Sequence, residues 1–281
     1  MSYKTILVHC NDERRIQALL AVGMTLGESF QAHVVGLSVV PPVAVLSGGA
    51  PNGPPIVLDE HCKVYLERNH VLRAAFDAAI HGRALVGEWR EDQADAYGVA
   101  ARVVQYASAA DLVVASQRDP DWPWTEWLDV SDRLAIESGR PVLIVPHTGV
   151  GSGRVGDRVL VAWNGRREAA RAVFDALPML QRAKGVKVIC INPQLEHEVT
   201  QGIPAADICA ALARHAVKCE ATEQIAPRRG VGDTLLAVAK EMGADLLVMG
   251  CYGHTRLREF VFGGASRHVL AHMPLPILMS H

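Results

Sequence analysis

The chain is written twice. Lys4-Thr5-Ile6-Leu7-Val8-His9-Cys10-Asn11-Asp12 lines up with Asp157-Arg158-Val159-Leu160-Val161-Ala162-Trp163-Asn164-Gly165, each a short apolar run ending in asparagine. Apolar residues at helical spacing follow in both copies: Ala18, Leu19 and Val22 in one, Ala169, Val173 and Leu177 in the other. Next come two further strand-like runs, His33-Val34-Val35-Gly36-Leu37-Ser38-Val39 and Val186-Lys187-Val188-Ile189-Cys190-Ile191-Asn192. Ala110-Asp111-Leu112-Val113-Val114-Ala115-Ser116 then matches Ala244-Asp245-Leu246-Leu247-Val248-Met249-Gly250. Pro-led strands close both copies, Pro141-Val142-Leu143-Ile144-Val145 and Pro276-Ile277-Leu278-Met279. Matching elements in one order, four times over, make an internal repeat, and a repeat decides the architecture before any local signal does.

Within each copy, short Val/Ile/Leu runs alternate with longer helical segments. Continuous apolar strands are buried on both faces, which requires a parallel sheet covered by helices. The expected fold is therefore α/β: two tandem open doubly wound, Rossmann-like domains. Residues 1–147 form the first domain, the Gly-rich stretch 148–156 the linker, and residues 157–281 the second. The first copy is longer because residues 41–59, rich in Pro and Gly, read as an irregular excursion. The closing strands are apolar and β-branched, and such edges want a partner.

The 281 residues suffice for two cores, and 49% apolar with 21% charged residues is ordinary for a globular protein. A net charge of −2 gives no general attraction to nucleic acid or to an anionic membrane. No apolar run approaches the roughly 18–20 residues that span a bilayer. No basic segment with an apolar run precedes the first strand, so no secretory leader is expected. Cys10, Cys62, Cys190, Cys209, Cys219 and Cys251 are scattered, with no C-x-x-C pair. They fit a reducing cytoplasm and are expected to be small buried core residues.

The chemistry concentrates in Gly250-Cys251-Tyr252-Gly253-His254-Thr255-Arg256-Leu257-Arg258-Glu259-Phe260-Val261-Phe262-Gly263-Gly264-Ala265-Ser266. This segment leaves the carboxyl end of a buried strand, where open α/β sheets bind ligands. Gly250 and Gly253 have no Cβ and tolerate positive φ, so backbone N–H groups can approach a phosphate. Gly263, Gly264 and Ala265 sit where the next helix, predicted from Ser266 to Ala271, presents its unpaired N–H groups and positive dipole end. Ser266 adds a hydroxyl, and His254, Arg256, Arg258 and Arg267 could add positive charge.

The G-x2-G-x9-G spacing, together with Val159-Leu160-Val161-Ala162-Trp163-Asn164-Gly165 and the closing Pro274-Leu275-Pro276-Ile277-Leu278, resembles the nucleotide-binding universal stress proteins. The resemblance covers both halves, which implies a tandem, cytoplasmic, stress-response member of the family. It implies ATP or a related adenine nucleotide, with or without Mg2+. Adenine would lie near the first strand of the second half, at Ala162 and Asn164. The phosphates would lie on Gly250, Gly253, Gly263, Gly264, Ala265 and Ser266. Two positions depart from the family's pattern: Gly264 replaces a Ser or Thr, and Asn164 replaces an Asp. The family likeness also implies an internal pseudo-dimer joined through the closing strands. A homodimer and a regulatory protein partner are further expectations.

The matching place in the first half, Ser116-Gln117-Arg118-Asp119-Pro120-Asp121-Trp122-Pro123-Trp124-Thr125-Glu126-Trp127-Leu128-Asp129-Val130-Ser131, has no glycine. Its carboxylates would repel phosphate and its prolines lack N–H donors. No triphosphate is expected there, and the tryptophans are expected to pack over the vacated pocket or at a domain contact. Gly151-Ser152-Gly153-Arg154-Val155-Gly156 matches a dinucleotide fingerprint only in letters, because it precedes a strand. Asp233 reads as the N-cap of a helix from Thr234 to Met242. His268 and His272 are four apart but lack the Glu of a zinc-protease helix, and they read as surface residues. No base or metal-binding carboxylate stands out, so a regulatory binding module leads. A slow ATPase or phosphotransferase, and an interaction protein with a vestigial site, are the alternatives.

Overall fold

The computed structural model describes residues 2–41, 58–95, 97–121, 130–150, 153–193, 205–226, 230–251 and 264–281. The first copy runs β1 Thr5–His9, helix Ile16–Phe30, β2 His33–Val40, helix Leu58–Ile80, β3 Gly87–Gln93, helix Gly98–Ala107, β4 Leu112–Ser116, helix Ser131–Glu137 and β5 Val142–Val145. The second runs β6 Arg158–Trp163, helices Arg167–Asp175 and Leu177–Leu180, β7 Gly185–Ile191, helix Ala205–Arg214, β8 Cys219–Gln224, helix Val231–Glu241, β9 Leu246–Gly250, helix Gly264–His272 and β10 Ile277–Ser280.

All ten strands form one sheet in the order β3-β2-β1-β4-β5-β10-β9-β6-β7-β8. Pairing is parallel within each copy. The copies meet where β5 and β10 pair antiparallel, with Ile277 opposite Ile144, Leu278 opposite Leu143 and Met279 opposite Val142. Pairing of the two closing strands, expected from their exposed apolar edges, is thus what joins the halves. In each copy the chain steps outward over three strands, then returns to the other side of the first. The switch points lie between β1 and β4 and between β6 and β9, and it is at the carboxyl ends of such strands that open α/β sheets place their crevices.

Strand residues alternate between two cores, one on each face of the sheet. Ile6, Val8, Val159, Val161 and Val248 face one side, with Leu19, Leu20, Ala172 and Val173 from the helices after β1 and β6. Leu7, Leu160, Leu247 and Ile277 face the other, with Val103, Leu235 and Val238. The repeat extends to polar detail. The Asp111 carboxylate accepts the N–H groups of Lys4 and Thr5 at 2.7 and 2.9 Å, and Asp245 accepts those of Asp157 and Arg158 at 3.0 and 2.9 Å. Each aspartate ties down the entry to the first strand of its copy.

Four features differ from the sequence expectations. The edge strands β3 and β8 are new; their half-exposed, charged residues suit an edge that must refuse further pairing. The last helix begins at Gly264 rather than Ser266. The Val231–Glu241 helix is capped by Gly230, so Asp233 lies in its first turn and is not the N-cap. Cys10, Cys190 and Cys251 are buried, whereas Cys209 and Cys219 are only half-buried. The side chain of Cys62 and the excursion over residues 42–57 lie outside the described residues.

Candidate functional site

In the second half, β6 and β9 run side by side with Ala162 opposite Met249. Their carboxyl ends therefore bring Trp163 and Asn164 beside Gly250 at the switch point. Asn164 accepts the Arg166 N–H on its side-chain oxygen at 3.2 Å, which fixes the turn into the Arg167–Asp175 helix. Gly165, between them, takes φ +73°, a left-handed conformation natural only to glycine. Gly250 is a different case. It ends β9 without a positive φ, and a Cβ there would lie 2.4 Å from the Glu168 carbonyl carbon and 2.5 Å from the Ala169 nitrogen. Its missing side chain lets the helix backbone press onto the strand end, a tertiary cause rather than the turn conformation expected from sequence.

That contact also reveals Glu168, which the motifs missed. Its carboxylate is buried and accepts the Arg167 Nε–H at 2.5 Å. The signal was available in the repeat, since Glu168 falls in register with Arg15 of the first copy.

The far side of the crevice belongs to the Gly264–His272 helix. Gly264 is exposed, and a Cβ on it would meet nothing within 4 Å; Ala265 is half-buried and Ser266 buried. One turn on, His268 Nε2 lies 2.7 Å from Asp233 Oδ1. The His268 ring fits against Gly232, where a Cβ would come within 2.8 Å of it, and stacks on His272 at 4.3 Å. His268 is thus a half-buried tie between the Val231–Glu241 helix and the last helix rather than a free surface residue. Gly253, Gly263, His254, Arg256 and Arg258 lie outside the described residues, and Arg267 is exposed.

The first half fills the equivalent place with charge. Asp12 Oδ2 accepts hydrogen bonds from Arg15 Nε at 2.9 Å and Arg14 Nη2 at 2.9 Å, and Arg68 lies 3.8 Å from Oδ1. Arg15 continues across the crevice, donating through Nη1 to Ser116 Oγ at 2.9 Å and to the Gln117 carbonyl at 2.8 Å. Asp12 and Arg15 are 2% and 5% exposed, so this ion pair is interior. Burial alone would raise the Asp12 pKa, but hydrogen bonds from Arg14 and the charges of Arg15 and Arg14 hold it below the ordinary carboxylate value. His9, at the end of β1, is buried with no hydrogen-bond partner for Nε2 among the described residues. Burial, reinforced by the Arg15 charge, lowers its pKa to about 3, so it is neutral at physiological pH.

Gln117 then links the halves, donating from Nε2 to the Leu270 carbonyl at 2.7 Å in the last helix and accepting the His147 N–H at 3.1 Å. Trp122, Trp124 and Trp127, with Glu126 and Asp129, lie outside the described residues. Among the described residues no group of three or more His, Cys, Asp or Glu could hold a metal, and no helix is long and apolar enough to cross a membrane.

With this geometry in place, residues 156–281 match the model of the universal stress protein family. A universal stress protein from Archaeoglobus fulgidus DSM 4304 superposes with a TM-score of 0.69 at 15% identity, covering 98% of this chain and 95% of that one. A protein described as a universal stress protein from Pseudomonas aeruginosa UCBPP-PA14 gives 0.59 at 16% identity, covering 99% and 93%. A protein of unknown function from Pseudomonas aeruginosa PAO1 gives 0.58 at 15% identity, covering 99% and 92%. At these identities the likeness is one of fold, and it extends over the whole chain. No curated protein sequence matches the chain.

Proposed function

We propose that the second half of the chain, whose residues 156–281 match the universal stress protein family, binds ATP or a related adenine nucleotide as a regulatory ligand. The observation that carries this reading is the position of the glycine-rich segment, which leaves β9 at Gly250 beside the carboxyl end of β6 and re-enters the described fold at the start of the Gly264–His272 helix. A strand end at a switch point and a helix N-terminus then flank one crevice, a combination that favours phosphate. In this reading Ala162 and Asn164 lie near the adenosine, and Gly250, Gly253, Gly263, Gly264, Ala265 and Ser266 surround the phosphates. In the same reading the nucleotide would be held through backbone N–H groups and the Ser266 hydroxyl. Any Mg2+ would enter on the nucleotide's own phosphate oxygens.

The bound state would be read by a protein partner in the cytoplasm, with hydrolysis slow or absent. The domains are taken as residues 1–147 and 157–281, joined by 148–156, with a homodimer as a further level of assembly. The test is a melting experiment in saturating Mg-ATP. A nucleotide-dependent rise in melting temperature that Gly253→Val abolishes supports the reading. No rise in the wild-type chain overturns it, and a rise that survives Gly253→Val places the ligand elsewhere.

A further inference from the structure

Cys209 and Cys219 are ten positions apart in sequence, and the fold turns them onto each other. The Ala205–Arg214 helix ends in a tight reversal: the His215, Ala216 and Val217 N–H groups donate back to the Leu212, Ala213 and Leu212 carbonyls. Ala216 adopts a left-handed φ of +61°. The chain then enters β8 at Cys219, whose Sγ lies 3.8 Å from the Cys209 carbonyl oxygen. The Cys219 thiol thus donates to the backbone of the very residue whose thiol it would join.

We propose that Cys209 and Cys219 are a modification site, a dithiol that a hydroperoxide closes to an intramolecular disulfide. Access separates this pair from the other described cysteines. Both thiols are half-buried at the outer edge of the second half, within reach of a small oxidant, whereas Cys10, Cys190 and Cys251 are buried. Burial pushes the Cys251 thiol up to about 12, which leaves almost none of it as the reactive thiolate. Cys209 is likewise pushed up to about 12, by burial and then by the neighbouring Cys219 thiol, so it keeps its proton. We assign the first reaction to Cys219, the first residue of the edge strand β8.

The chemistry balances with the peroxide as the only co-reactant. The Cys219 thiolate attacks one peroxide oxygen and the O–O bond breaks. Cys219 becomes a sulfenic acid, and the leaving oxygen departs as water after taking up a proton. The Cys209 sulfur then attacks the Cys219 sulfur, the S–OH bond breaks, and hydroxide leaves as water with the Cys209 proton. Two thiols and one hydroperoxide with hydrogen on both oxygens become one disulfide and two waters, the thiols supplying two electrons. The second step is intramolecular between neighbouring residues, the Cys219 sulfur lying 3.8 Å from the Cys209 carbonyl oxygen, which favours it over further oxidation of the sulfenic acid. The product would staple a helix to the first residue of an edge strand. Cys219 lies opposite Val186 at the amino end of β7, away from the crevice at the carboxyl ends, so this inference stands apart from nucleotide binding.

The test treats the reduced full-length chain with hydrogen peroxide, blocks remaining thiols, and maps peptides by mass spectrometry. The expected result is a chain lighter by two hydrogen atoms, with a single reducible link between the peptides holding Cys209 and Cys219. In Cys209→Ser the link should vanish and dimedone should capture a sulfenic acid at Cys219. Stepwise oxidation of Cys219 to sulfinic acid in the wild-type chain, or links joining either residue to another cysteine or another chain, would overturn the proposal. So would recovery of both thiols unmodified while another cysteine oxidises.

Discussion

Arg15 and Glu168 occupy the same place in the two copies, at the start of the helix that follows the first strand, and Ser116 and Gly250 occupy the same place at the end of the fourth. In the first copy these positions are bridged by side chains: the Arg15 guanidinium spans from Asp12 to Ser116 and the Gln117 carbonyl. In the second they touch through backbone, with the Glu168–Ala169 peptide pressed onto a glycine that has no Cβ to obstruct it. The position of Asp12 is Gly165 in the second copy, and that of His9 is Ala162. One topology thus supports two solutions at the same crevice. The first closes it with an interior ion pair that needs no ligand. The second keeps small residues there and hands on to a glycine-rich segment. Duplication of the fold has not duplicated the site, and in the proposed function only the second crevice takes nucleotide.

The largest test of this contrast is Arg15→Ala. Removing the Arg15 guanidinium leaves buried Asp12 to Arg14 and Arg68 and strips Ser116 Oγ and the Gln117 carbonyl of their donor, which should cost about 3 kcal/mol, read as a lower denaturant midpoint. A loss below about 1 kcal/mol, the worth of an exposed pair, would show that the pair does not close the first crevice. Gly250→Ala comes next. The added Cβ meets backbone that cannot swing aside, and overpacking of this kind costs about 2 kcal/mol. Ser116→Ala, at the matching place, adds no such clash and should cost only about 1 kcal/mol for the lost hydrogen bond. Equal losses would mean that the two strand ends are not built differently.

Acid gives the smallest effect over one pH unit, through His9 of the first copy. The His9 pKa is lowered on folding, so the unfolded chain binds the proton more readily and stability falls as pH drops from the ordinary histidine value of 6.5 towards about 3. Between about pH 6.5 and 5.5 the His9 share is about 1 kcal/mol. His9→Gln should flatten the urea-midpoint profile over that interval; an unchanged slope would assign the acid sensitivity to other groups.

Much of this was legible in the sequence for a physical reason. Strands buried on both faces must be continuously apolar, so β1, β2, β4 and β5 and their counterparts β6, β7, β9 and β10 stand out, as does the need of β5 and β10 for a partner. β3 and β8 escaped because an edge strand mixes charged and half-exposed residues and loses the apolar signature. Asp233 looked like a cap because a cap is judged on neighbours in sequence, whereas its partner His268 comes from another helix. Glycine at position 250 was legible as a requirement but not as to its cause, since the obstructing atoms belong to residues more than eighty positions away. The ion pair of Asp12 and Arg15 was hidden for the opposite reason: charged residues near a helix start read as solvated until the fold is known to bury them.

The most direct measurement of the central claim is the number of adenine nucleotides bound per chain at saturation, by equilibrium dialysis or calorimetry with ATP. One nucleotide per chain, lost in Gly253→Val and retained in a folded first-half variant such as Ser116→Ala, is the predicted result. Two per chain would contradict the closure of the first crevice, and none would contradict the reading of the second.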